Sequence, residues 1–421
     1  MADSSFGFNV TEHIIPCQHI RGYRHATHDA TAVLRLAVKE YTPKAKNEIK
    51  EGAVTVIAAH ANGIVKEAYE PIWEELRLRM DGMLRAIWFA DTSHQGASGV
   101  LNEALQGDDP NYFDHSRDLL GMVNHFRDRM QPPLVGVAHS AGCAQLTHLS
   151  FTHPRLFTGL LFIEPVMWST HPPGPNASRL TSLRRDLWPS REAARADFLK
   201  SPFYSTWDPR TLDRYLAHGL RETPTPIYPN ATPGSVTLTT TKHQEAWLFL
   251  RSTFRPLPPD GKPDEVERYI TADFNDDQAS YLFHRGEPGI AISLLPHLQP
   301  HVLWVYGEKS YVNTPASREK NVLLTGTQNR ASGGVDAGAV KMRIVRKGGH
   351  LFPLQMVGET AEVIAPFLKE MAERARREEA FWRGYDSGKS ERGGSVLSGK
   401  WVEEAGKKGY AKRPRGEGSK L

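Results

Sequence analysis

With 421 residues, 39% of them hydrophobic and 24% charged, the chain can bury a sizeable core and has an ordinary globular composition. The formal net charge of +4 at pH 7 is too small for a nucleic-acid footprint unless it is concentrated in one place. Two cysteines, Cys17 and Cys143, exclude a disulfide framework, no His/Cys cluster has metal-ligand spacing, and a reducing compartment is the simpler reading.

In chain order, the first residues lack the basic and apolar parts of a secretory signal. No run approaches the ~20 apolar residues that span a bilayer. Strands are predicted at Val33 to Tyr41, Val54 to Ala59, Ala86 to Ala90, Leu134 to Ala138, Gly159 to Ile163, Val302 to Tyr306 and Met342 to Val345. Several show little polar alternation, as central strands covered on both faces do. Helical patterns lie between them, for example from Pro71 and from Phe113, so a mostly parallel sheet flanked by helices is expected.

The spacing breaks between Pro165 and His301, far too long a stretch for one crossover. Helical pieces at Arg191 and Lys242, with Trp168, Trp188, Phe203, Tyr204 and Trp207, point to a packed cap or lid. The expected organisation is a core over 1–165, a cap over 166–301, a second core part over 302–385 and a tail over 386–421. A closing helix is expected over about Lys369 to Trp382. The tail is rich in Gly, Ser, Lys and Arg, and such a composition does not offset the entropy of ordering. Its nine Lys and Arg against four Glu over 387–421 exceed the surplus of the whole chain, so the basic balance belongs to the tail. The final Ser419-Lys420-Leu421 is an address read by the peroxisomal import receptor.

The chemistry centres on Ala138-His139-Ser140-Ala141-Gly142, placed directly after a predicted strand and before a helix. This is the pattern of a nucleophile elbow, in which Ser140 occupies a strained turn and its flanking positions must be small. Ala138 stands where Gly is usual. In that fold the base follows the last strand, and Gly348-Gly349-His350 does so. The acid usually follows the preceding strand in a Gly-x-x-Asp turn, but here Gly307-Glu308-Lys309 leads to Ser310. Glu164, one strand earlier, also ends at the carboxyl edge of the sheet and is preferred as the acid; Glu308 is the alternative. The oxyanion hole is expected from Ala141 N–H and from the loop His60-Ala61-Asn62, with Asn62 N–H preferred over Ala61 N–H. Asp91 to Ser98 is read as a structural turn. No metal and no cofactor are required.

The elbow, Thr11 to Arg21, Leu36 to Pro43, Ala90 to Ser98, Phe162 to Pro165, Phe203 to Pro209, Gly348 to Pro353 and the terminal SKL together carry a resemblance. The chain resembles the fungal α/β-hydrolases of secondary-metabolite biosynthesis. That family includes the peroxisomal acyl-CoA hydrolase of mycophenolic acid biosynthesis and the AK/AF-toxin biosynthesis hydrolases. The resemblance implies thioester or ester hydrolysis in the peroxisome, a triad acid at the position of Glu164, and it admits a homodimer. The relative carries Asp where this chain has Glu164, one methylene longer. The expected activity is therefore hydrolysis of an acyl-CoA or ester of a bulky polyketide- or lipid-like acid. The same scaffold could instead run acyl transfer or cyclisation, or serve as a non-catalytic ligand-binding module.

Overall fold

The computed structural model describes residues 6–45, 49–169, 176–387, 394–407, 409 and 412–413. The chain divides into two compact units, residues 1–373 and 374–421.

The first unit is built on eight strands: β1 (Phe8–Pro16), β2 (Arg35–Pro43), β3 (Val54–Ala59), β4 (Leu84–Ala90), β5 (Leu134–His139), β6 (Gly159–Ile163), β7 (His301–Gly307) and β8 (Val340–Val345). Their spatial order is β1-β2-β4-β3-β5-β6-β7-β8. The β1/β2 and β2/β4 pairs are antiparallel and the remaining pairs are parallel. Every residue of β3, β5 and β6 is buried, which is why these strands read as continuous apolar runs. Alternate residues of β3 serve opposite faces: Val54, Val56 and Ala58 join one apolar cluster, Ile57 and Ala59 the other. Strand β1 escapes sequence reading because it lies at the sheet edge and most of its side chains are exposed.

Helices cover both faces. The main ones are α1 (Glu70–Arg79), α2 (Tyr112–His125), α3 (Ala141–Thr152), α4 (Lys242–Phe249), α5 (Glu287–Leu294) and α6 (Val357–Asp386). Helix α6 begins well before the predicted Lys369 and contains Pro366. Its buried stripe of Val357, Ala361, Ile364, Leu368 and Met371 has helical spacing on both sides of the proline. Burial of that stripe holds the helix together across a residue that normally interrupts one.

Between β6 and β7 lie seven α-helices and one 3-10 helix among the described residues, a three-stranded sheet (Leu187–Trp188, Val236–Leu238, Leu220–Glu222) and a two-stranded one (Arg251–Ser252, Phe283–His284). Trp188, Phe198, Tyr204, Trp207 and Tyr215 belong to the same apolar cluster as Ile72 and Trp73 of α1. Phe198 stacks on Tyr204 at 4.3 Å and Trp207 meets Tyr215 edge-on at 5.2 Å, so these aromatics pack against one another rather than line an open pocket. Phe203 is the exception and stays half exposed. Helix α5 shares a cluster with α3, through Ala291 and residues such as Leu146.

The second unit, residues 374–421, contains the end of α6 and the helix Gly399–Ala405, capped by Ser398, whose hydroxyl accepts the Trp401 N–H at 3.1 Å. Ser419-Lys420-Leu421, and with them residues 388–393, 408, 410–411 and 414–418 of the tail expected over 386–421, lie outside the described residues.

Candidate active site

The site forms where β5, β6, β7 and the loop after β8 end side by side. Ser140 has φ 57° and ψ −117° and serves as the N-cap of α3. A non-glycine residue at such φ costs of order ~1–3 kcal/mol, which surrounding contacts must offset. Two backbone bonds hold the turn: Ser140 N–H to Ile163 O at 3.0 Å, and Val166 N–H to Ser140 O at 3.1 Å. The helix start must also lie against β3, and a Cβ on Gly142 would come within 2.6 Å of Ala59 O. Gly142→Ala is accordingly expected to destabilise the fold by about 1–3 kcal/mol, because the backbone crowding outweighs the gain of up to about 1 kcal/mol from helix propensity. Urea midpoints of the two proteins provide the check.

Glu164 is fully buried and also has a positive φ, 47°. Its Oε1 accepts Gly307 N–H at 2.5 Å. Its Oε2 accepts the Ser310 hydroxyl at 2.5 Å and Asn313 Nδ2–H at 3.1 Å, and faces His350 Nδ1 at 3.2 Å. On the other side of the ring, His350 Nε2 is 3.1 Å from Ser140 Oγ. The three residues preferred from sequence therefore form one continuous hydrogen-bonded line. Burial alone would raise the Glu164 carboxyl, but the bonds from His350, Ser310 and Gly307 outweigh it and hold the group below the ordinary carboxylate value. Glu308 is exposed and its Oε2 accepts Lys347 N–H at 2.8 Å, so it is engaged elsewhere. The His350 loop passes so near β7 that a Cβ on Gly307 would lie 2.4 Å from Gly348 O.

Of the two residues proposed for the oxyanion hole, Ala141 opens α3 directly beside Ser140, and Asn62 lies on the loop after β3. Ala61 N–H donates to Tyr69 Oη at 3.0 Å. The Asn62 side chain is used structurally: its Nδ2 donates to Glu245 O at 2.9 Å and its Oδ1 accepts from Gln95 Nε2. Gln95 Oε1 in turn accepts Gly63 N–H at 2.9 Å. The residues missed by sequence reading are thus Gln95 and Asn313, each distant in the chain from the group it holds, and Tyr69, eight residues after Ala61 on a separate element. The Asp91 turn is structural, with Asp91 forming a buried ion pair with Lys66 at 2.5 Å.

Among the described residues no group of His, Cys, Asp and Glu has the arrangement of a metal site. No described helix is long and apolar enough to cross a membrane. A groove of about 860 Å³ is lined by residues including Arg24, His25, His28, His243 and Trp247, and its lining includes none of Ser140, Glu164 and His350.

Burial lowers the imidazole pKa values of His60, His94, His115 and His139, so the folded chain keeps them neutral where the unfolded chain would take up protons. The sign follows from linkage: their contribution is complete above the ordinary histidine value near 6.5 and is lost as pH falls below it. Denaturant titrations at about pH 7.5 and about pH 5.5 are expected to show these histidines making the protein weaker at the lower pH, against the opposing effect of the Asp114 carboxyl, which burial raises to about 6.

A sheet in this order, with a strained serine at the tip of β5 and a histidine beyond β8, defines an α/β-hydrolase. The chain is 38% identical over 404 residues to the type I acyl-CoA thioesterase mpaH' of Penicillium brevicompactum, across 91% of this chain and 92% of that one. It belongs to that thioesterase family within the α/β-hydrolases and is a hydrolase. The abhydrolase domain-containing protein AFT2-1 of Alternaria alternata is 27% identical over 57% of this chain and 85% of its own length. Among solved structures, the peroxisomal α/β-hydrolase Lpx1 of Saccharomyces cerevisiae superposes with a TM-score of 0.64, covering 90% of this chain and 97% of that one at 18% identity. No protein-family model matches the chain.

Proposed function

We propose that the protein hydrolyses the thioester of an acyl-CoA carrying a bulky polyketide- or lipid-like acid, through Ser140, His350 and Glu164. The observation that carries this reading is the unbroken line from Ser140 Oγ through both His350 nitrogens to the Glu164 carboxylate. His350 Nε2 takes the Ser140 proton as Oγ attacks the carbonyl carbon, and returns it to the leaving thiolate of CoA. Water then attacks the acyl-enzyme, with His350 again as base, to release the free acid. Glu164 fixes the tautomer with Nδ1–H toward itself and balances the imidazolium. Ala141 N–H and Asn62 N–H stabilise the oxyanion; the choice of Asn62 over Ala61 is supported by the Ala61 N–H donating to Tyr69 Oη.

Incubation with a panel of acyl-CoAs, read by mass spectrometry, tests the reading. Free acid with CoA supports it; a lactone or a new ester places the protein among acyl transferases, and failure of wild-type Ser140 to label with a fluorophosphonate removes it. The Ser419-Lys420-Leu421 motif supports action in the peroxisome matrix through the import receptor. Imaging of an N-terminally tagged chain, with and without those three residues, addresses that location.

A further inference from the structure

We propose that His139 and Tyr69 are positioning residues that couple the oxyanion loop to the His350 loop through one directed chain of hydrogen bonds. The inference rests on the hydrolytic reading above.

The chain has three links. His139 Nε2 lies 3.0 Å from His350 O, the backbone carbonyl of the triad histidine itself. His139 Nδ1 lies 2.8 Å from Tyr69 Oη, and Tyr69 Oη accepts Ala61 N–H at 3.0 Å. Each direction follows from its end groups. A carbonyl oxygen only accepts, so His139 Nε2 carries the proton. A neutral imidazole has one donor, so its Nδ1 accepts, and the Tyr69 hydroxyl must donate to it. The Tyr69 oxygen is then free to accept from Ala61, whose N–H can only donate. No other assignment satisfies all three contacts while His139 is neutral.

Neutrality is secured by the surroundings. His139 is almost wholly buried, and burial, followed by the neighbouring His350, pushes its pKa down to about 3. The groups facing it are His350, Tyr69, Glu164 and His60; Glu164 acts in the opposite sense and does not reverse the shift. His139 therefore keeps one tautomer while His350 gains and loses its proton. Tyr69 is buried too, and its ring is clamped between Trp73 and Phe89, with centroids at 6.3 and 5.4 Å.

The geometry matters because the two loops it joins carry different halves of the chemistry. Ala61 immediately precedes Asn62, the loop's oxyanion donor, whereas His350 is the base. His139 sits between them, adjacent in sequence to Ser140. A polar chain of this kind sets distance and orientation together, because Tyr69 and His139 each have one donor and one acceptor direction in use. Misplacement on the order of 1 Å at a reacting centre is enough to cost about 10²-fold in rate.

The test compares Tyr69→Phe, His139→Gln and the double variant, with active sites counted by fluorophosphonate titration. Tyr69→Phe removes the acceptor of Ala61 N–H and the donor to His139. His139→Gln retains an amide donor able to reach His350 O. We expect kcat per titrated site to fall about 10- to 100-fold in Tyr69→Phe with KM within twofold. The fall should be smaller in His139→Gln, and the double variant should lose no more than Tyr69→Phe alone, since a chain broken once is already broken. Effects that multiply in the double variant would refute coupling. So would unchanged kcat per titrated site with a lowered Tm, which is the signature of a packing role. If Tyr69→Phe does not fold, His139→Gln decides: unchanged kcat per site overturns the proposal and a selective fall in kcat upholds it. Wild-type protein that neither labels nor turns over removes the hydrolytic reading and this proposal with it, whereas labelling wild type with indifferent variants removes only this proposal.

Discussion

Replacement of Ser140 by Ala is expected to lower kcat for acyl-CoA hydrolysis by about 10⁶-fold, to the residual level given by binding and the oxyanion donors. The magnitude follows from the absence of a substitute among the neighbouring groups. Cys143, three residues on, has the right chemistry in principle, but its thiol is fully buried and donates to Ala138 O at 3.4 Å. Burial also pushes that thiol well above its ordinary value, so no thiolate is available. Alanine at φ 57° remains strained, so the variant should gain little stability from losing the hydroxyl. Comparison of kcat, of fluorophosphonate labelling and of the urea midpoint separates these effects. Residual turnover within 100-fold of wild type would show that the serine is not the nucleophile.

The second large effect concerns the acid. Glu164→Gln is expected to reduce kcat by about 10³- to 10⁴-fold, comparable to losses of the acid in other triads. Its two oxygens receive Gly307 N–H, the Ser310 hydroxyl, Asn313 Nδ2–H and His350 Nδ1–H. An amide presents two N–H groups to this shell of donors, so one donor is left facing another, and His350 loses its reason to keep the proton on Nδ1. Glu308→Gln should stay within twofold of wild type, since Glu308 is exposed and its carboxylate accepts the Lys347 N–H, away from His350. Ser310 occupies the usual acid position and already touches the Glu164 carboxylate. Glu164→Ala combined with Ser310→Asp is therefore expected to recover at least about tenfold over Glu164→Ala alone. Equal losses from the glutamine variants at 164 and 308 would overturn the assignment.

The fold is largely legible because the central strands β3, β5 and β6 are buried along their whole length and helices alternate with strands through the core. Seven of the eight sheet strands are legible as apolar or alternating runs; β1, at the sheet edge with most of its side chains exposed, presents no such run. The extent of α6 was concealed by Pro366, a local interruption that burial of the flanking stripe overrides. In the site, Ser140 announces itself through its small neighbours and His350 through its place after the final strand.

Glu164 shows where local information ends. The sequence could say that Ser310 has no carboxylate and that Glu164 closes a strand, and this made Glu164 the better of two acids. That β6 and β7 are neighbours, so that Gly307, Ser310 and Asn313 all converge on one carboxylate, is a fact of strand order alone. The same holds for Tyr69 and Gln95, which grip the loop after β3 from other elements. Short-range sterics and apolar periodicity determine the turn that exposes Ser140, and they are written in consecutive residues. Hydrogen-bond partners of buried polar groups are chosen by whatever the packed sheet brings within 3 Å, and that choice exists only once the chain has folded.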